Sequence, residues 1–123
     1  MREVTMAAKD ELGRLGEHLA VQYLESEGMR VLERNWRCPA GEIDVVARDG
    51  NTLVMVEVKT RSGLVFGTPF SAITAQKLAR LRRLASAWTE SHDARYHEVR
   101  IDAVSVLVPR GGSIEIDHLR GVF

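Results

Sequence analysis

The stretch GEIDVVARDGNTLVMVEVKTR, Gly41 to Arg61, decides how this chain is read. It holds two apolar runs, Gly41 to Arg48 and Thr52 to Thr60, on either side of Asp49-Gly50, a strong hairpin signal. The second run is apolar on both faces from Thr52 to Val58, the pattern of a central strand covered on both sides. Yet Glu42, Asp44, Glu57 and Lys59 lie within these runs. A charge in a buried strand is costly unless it is paired or metal-bound. Alternation puts Glu57 and Lys59 on one face and Val54, Val56 and Val58 on the other. The turn sets the register. A two-residue loop at Asp49-Gly50 pairs Asp44 with Met55 and Glu42 with Glu57. A four-residue loop, Asp49 to Thr52, pairs Asp44 with Glu57. Both leave Asp44, Glu57 and Lys59 on one face, and a three-residue loop undoes this. Two carboxylates on adjacent strands beside a lysine suit a divalent ion that takes oxygen ligands. A plain ion pair, Glu57 with Lys59 or Asp44 with Arg61, is the other reading of the same residues.

Before this hairpin, Leu12, Leu15, Leu19, Ala20, Tyr23 and Leu24 recur at helical spacing and predict a helix from Asp10 to Glu27, stopped by Gly28. Glu17 lies at the edge of its apolar stripe. A strand over Met29 to Arg34 follows, with Met29, Val31 and Glu33 on one face, then a turn from Asn35 to Ala40. After the hairpin, Ser62 to Phe70 reads as a loop, either closing over a substrate or simply connecting. A second helix runs from Thr74, its N-cap, to Thr89. Leu78, Leu81, Ala85 and Trp88 form its apolar side, and Gln76, Lys77, Arg80 and Arg83 fall together on another. Strands over Glu98 to Val108 and Ser113 to Leu119 complete the order α-β-β-β-α-β-β, a mixed α/β domain.

Composition narrows the function. A chain of 123 residues is one domain's length, and 45% hydrophobic with 28% charged residues is an ordinary globular balance. No apolar run approaches the ~20 residues of a membrane span, and Met1 to Glu11 does not read as a secretory signal. The single cysteine, Cys38, excludes a disulfide or cysteine-zinc framework within one chain, so a cytoplasmic setting is expected. The net charge of zero argues against a protein that coats nucleic acid non-specifically. The one basic block is Lys77, Arg80, Arg82 and Arg83.

Gly41-Glu42-Ile43-Asp44 followed by Glu57-Val58-Lys59 resembles the PD-(D/E)xK nuclease superfamily, with Ile43 in place of the usual proline. More narrowly, the chain resembles the YraN family, itself similar to archaeal Holliday junction resolvases. The resemblance covers about residues 10–108. It includes Gly13, Gly16 and Glu17 on the first helix, Asn35-Trp36-Arg37, Val56 to Arg61, Gln76-Lys77, and Arg100-Ile101-Asp102. It implies a restriction-endonuclease-like fold, a central mixed sheet flanked by helices, with one endonuclease-like domain at 10–123; residues 1–9 are expected to be flexible as a chain end. It implies Mg²⁺ or Mn²⁺ held by Asp44, Glu57 and the Val58 carbonyl, with Glu17 supporting the ion through water. Lys59 becomes the catalytic lysine, and Gln76 and Lys77 reach the site from the second helix.

The activity expected is metal-dependent hydrolysis of phosphodiester bonds in DNA, including branched or repair intermediates. The competing expectation is a nuclease-like module that binds nucleic acid without cutting. Glu42 is a ligand or a supporting residue. Arg61, Arg80 and Arg83 contact phosphate or form a solvated rim. Asp102 pairs with Arg100, Trp36 stacks on a base or packs, and the histidines carry no chemistry. A homodimer through the last strand and residues 121–123 is expected, with no membrane partner.

Overall fold

The computed structural model describes residues 6–63, 70 and 73–122. The elements are α1 (Met6–Ser26), β1 (Arg30–Cys38), β2 (Gly41–Asp49), β3 (Thr52–Arg61), α2 (Ala75–Ser91), β4 (Glu98–Leu107) and β5 (Glu115–Leu119). They follow the expected α/β order. The five strands form one mixed sheet in chain order. Every neighbouring pair is antiparallel except β3 and β4, which run parallel and are joined through α2.

Leu53, Val54, Met55 and Val56 of β3 are fully buried, because a helix covers each face. Ala20, Val21 and Leu24 of α1 pack with Val45, Val54, Val56, Val104 and Val106. Leu81, Leu84, Ala85 and Trp88 of α2 pack with Ile43, Val46, Leu53, Met55 and Ile101. Thr74 caps α2 as the sequence predicts, accepting from the Lys77 amide at 3.1 Å.

Several boundaries differ from the sequence reading. α1 begins at Met6, four residues before Asp10. β1 does not end at Arg34 but continues to Cys38, through Asn35 at φ 51°. Asparagine tolerates this left-handed conformation better than most residues, so a turn-forming residue here sits inside a strand. The register of β1 shifts between Val31 and Glu33. Met29 and Val31 stay in the core under α1. Glu33 crosses to the α2 side and accepts from Trp88 Nε1 at 2.9 Å. The β2–β3 loop is Gly50-Asn51, since Asp49 pairs with Thr52. Its register is the one that sets Asp44 against Glu57.

Two features hold the layers together. Gly16 of α1 is buried against β3, and a Cβ there would overlap the Thr60 side chain, lying 2.7 Å from its Cβ. The absent side chain is what brings α1 down onto β3. Asp102 of β4 is fully buried. Its carboxylate accepts from Arg100 at 2.8 and 3.1 Å and from the Gly121 amide at 3.0 Å, and it contacts His118 Nε2 at 2.8 Å. Burial alone would raise this carboxyl's pKa; the bonds from His118, Arg100 and Gly121 outweigh it and hold the pKa below the ordinary value. The expected Asp102–Arg100 pair is present, inside a larger network.

Gly16→Ala is expected to lower the unfolding free energy by at least about 1–3 kcal/mol through overpacking. Gly13→Ala, where no described atom lies within 4 Å of the new Cβ, should cost far less. Urea denaturation of both variants checks this, and equal losses would refute the close approach at Gly16. Asp102→Ala leaves the Gly121 amide without its acceptor, and Arg100 and His118 with only Asp49 and Tyr23 as partners, and should cost about 1–3 kcal/mol, read from the same curves.

Candidate active site

The site begins where β2 leaves β3. Their ladder runs from Asp49–Thr52 to Val45–Val56 and stops. Beyond it, β2 stays paired with β1 as far as Gly41, and β3 with β4 as far as Arg61. The strands part, and the Val58 amide donates to Asp44 Oδ2 at 2.8 Å. A side-chain carboxylate thus takes the place of a ladder carbonyl. Side-chain alternation breaks here as well. Ile43 packs in the core under α2 while Val45 packs in the core under α1.

Asp44 therefore faces a cleft of about 770 Å³ on the α1 side, shared with Lys9, Gly13, Glu17, Val58, Lys59 and Arg61. Glu57 faces α2, where Lys77 Nζ lies 3.3 Å from its Oε1. The expectation that Asp44, Glu57 and Lys59 share one face is corrected at Asp44. Its register position is one of the two expected, but the parting of the strands turns its side chain. Lys59 lines both the Asp44 cleft and a small cavity beside Glu57.

The carboxylates differ in their partners. Glu17 accepts from Asn35 Nδ2 at 2.6 Å and lies 3.8 Å from Arg34 Nε. Glu42 lies 3.3 Å from Arg37 Nε. Glu57 has Lys77. Asp44 has only the Val58 amide, with no basic side chain at ion-pair distance among the described residues. Burial pushes its pKa up to about 6, against the Val58 hydrogen bond, and the charges of Glu57, Glu17 and Glu42 add to the rise.

These donors suit a hard divalent cation in type, since all are oxygens, and in charge, since a cation would relieve Asp44. They do not yet converge. Among the described residues, no three His, Cys, Asp or Glu side chains are gathered closely enough to hold an ion.

Gln76, Lys77, Arg80 and Arg83 line one groove of about 340 Å³ with Thr74, as their helical spacing predicts. Arg82 lies apart, in a groove with Ala85, Thr89 and Val99. Arg61 lies in the Asp44 cleft, not in the α2 groove. Trp36 packs against the α2 core, its ring 6.1 Å from that of His92, which stacks on Trp88 at 4.1 Å. Most of the Ser62 to Phe70 loop lies outside the described residues, as does Phe123. Sequence reasoning missed Lys9, Arg34 and Asn35 as site neighbours. Asn35 carried a signal, since a residue that tolerates left-handed backbone can sit within a strand as well as in a turn.

A family model described as uncharacterised protein family UPF0102 matches residues 16–106. The chain belongs to the UPF0102 family. The expected membership of the YraN group is borne out. A UPF0102 protein of Beutenbergia cavernae is 62% identical over 117 residues, covering 95% of this chain and 99% of the relative. One from Arthrobacter sp. is 57% identical with the same coverage. Among solved structures, a Holliday junction resolvase of Archaeoglobus fulgidus matches with 20% identity and a TM-score of 0.41, covering 85% of this chain and 74% of that one. The matched UPF0102 segment holds Glu17, Asp44, Glu57, Lys59 and Lys77. No described helix is long and apolar enough to cross a membrane.

A folded pKa of about 6 against an ordinary 3.8 makes ionised Asp44 a cost to folding. The cost is absent below the ordinary value, grows as pH rises through about 6, and is complete above it. Asp44→Asn keeps an oxygen acceptor for Val58, so it should be about 1–3 kcal/mol more stable than the parent at pH 8 without divalent metal. That gain should vanish by pH 4. Urea midpoints at the two pH values check it, and an equal difference at both would exclude a desolvated carboxylate.

Proposed function

We propose that this UPF0102 chain is a metal-dependent endonuclease that hydrolyses phosphodiester bonds in DNA, including branched recombination or repair intermediates. One observation carries the reading. Where β2 and β3 part, Asp44, with its raised proton affinity and no basic partner among the described residues, opens into the same cleft as Lys59 and Glu17. The acid and acid-x-lysine motif of residues 44 and 57–59 supports it.

Asp44, Glu57 and the Val58 carbonyl would hold Mg²⁺ or Mn²⁺, with Glu17 reaching it through water. When bound, the ion supplies a more acidic water and stabilises negative charge on the scissile phosphate. The reaction forms a bond from water oxygen to phosphorus and breaks one phosphorus–oxygen ester bond. The leaving alkoxide takes up a proton. Lys59, on the cleft that Asp44 faces, orients the attacking water and stabilises the developing charge. Arg61 in the cleft, and Gln76, Lys77, Arg80 and Arg83 in the groove, bind backbone phosphates. Glu42, paired with Arg37, supports Asp44 by adding to its negative field. The protein acts in the cytoplasm, where a two-fold dimer would present two such sites to a branched substrate.

The test is a cleavage panel of labelled four-way junction, flap, single-stranded and linear duplex DNA with Mg²⁺, Mn²⁺ or EDTA. Cutting should require metal and should fall by at least about 10²-fold in Asp44→Ala, Glu57→Ala and Lys59→Ala. Cutting that persists in Asp44→Ala refutes the assignment. Binding of one substrate with no cutting by the parent refutes the nuclease and supports the non-catalytic module.

A further inference from the structure

We infer that Lys77 is a displaceable counter-ion of Glu57, exchanged for the divalent cation when the site fills. This rests on the metal-dependent reading above. Lys77 Nζ lies 3.3 Å from Glu57 Oε1, with both side chains largely covered, at 30% and 20% exposure. Neither backbone is free to move far. Glu57 follows the fully buried Val56 and is paired across to Ala103 of β4. Lys77 lies in the first turn of α2, its amide donating to the Thr74 cap, and α2 is anchored by buried Leu81 and Leu84. The pleat of β3 turns Glu57 to the α2 side and the ion pair anchors its carboxylate there, while the parting of the strands turns Asp44 towards α1. Together these account for a donor set of suitable chemistry that does not converge.

A cation that takes both Asp44 and Glu57 must draw the Glu57 carboxylate away from the ammonium. The lysine then loses its described anionic partner. What remains around it is the groove of Thr74, Gln76, Arg80 and Arg83, whose lining holds no carboxylate. A phosphate oxygen is the acceptor that suits an ammonium in that company. Metal entry and phosphate binding thus favour one another through a single side chain, because each releases the partner the other needs.

The experiment is calorimetric titration of the full chain with Mn²⁺ at fixed ionic strength, in the absence of DNA. Removing a competing cation should tighten binding, so Lys77→Met should bind Mn²⁺ roughly three- to tenfold more tightly than the parent. Lys77→Arg, which keeps the pair, should stay within about twofold of the parent. Arg83→Met, the same charge change in the same groove without contact to Glu57, should also change little. Thermal melting confirms that each variant is folded. Equal or weaker binding by Lys77→Met overturns the exchange, as does an equal gain in Arg83→Met, which would report only the general field. If the parent binds no Mn²⁺, or its binding survives Asp44→Ala, the metal-dependent reading itself fails and the exchange fails with it. Asp44-dependent binding that is indifferent to Lys77 leaves that reading intact and removes only the exchange.

Discussion

The rest of the site depends on one hydrogen bond, from the Val58 amide to the Asp44 carboxylate. Two strands kept in register to their ends leave no space between them. For β2 and β3 to part, each backbone group freed from the ladder needs another partner, because an unpaired buried amide is costly. Asp44 supplies one from its own side chain. β1 holds the far end of β2 and β4 the far end of β3, so both strands stay paired on their outer edges where the gap opens. The close approach of α1 at Gly16 then sets one wall of the cleft and carries Glu17 to its rim.

The electrostatics follow from that geometry. Four carboxylates act on one small region, but three are matched locally: Glu17 by Arg34 and Asn35, Glu42 by Arg37, and Glu57 by Lys77. The imbalance is left on Asp44, the residue whose backbone role prevents it from turning to a basic partner. A fold that needed only stability would have placed an asparagine here, which accepts the same amide without the charge. The charge is therefore the part of the site that the strand arrangement does not explain.

Much of the fold was legible because it rests on short-range rules. The apolar run of β3, the Thr74 cap and the spacing of Leu81, Ala85 and Trp88 each act over a few residues, and the structure contains them. The groove of Gln76, Lys77, Arg80 and Arg83 was legible for the same reason. Sequence and structure part company where the regular pleat fails. Glu33 changes face because of the register shift after Val31, and Asp44 because the ladder ends beside it. Asn35 looked like a turn and lies within a strand. The Lys77–Glu57 pair joins residues from α2 and β3, and no local pattern in either element announces it.

Asp102 has a consequence for the order in which the molecule comes together. Its partners His118 and Gly121 stand sixteen and nineteen residues further along the chain. Without the segment up to Gly121, β4 cannot bury Asp102 with more than Arg100 to receive it. Docking β4 alone then carries the penalty of a poorly satisfied internal charge. Until that segment is in place, the β4-facing edge of β3, apolar on both faces, lies open to pairing with other chains. The last strand and the residues after it are therefore what shuts the middle of the sheet against foreign strands.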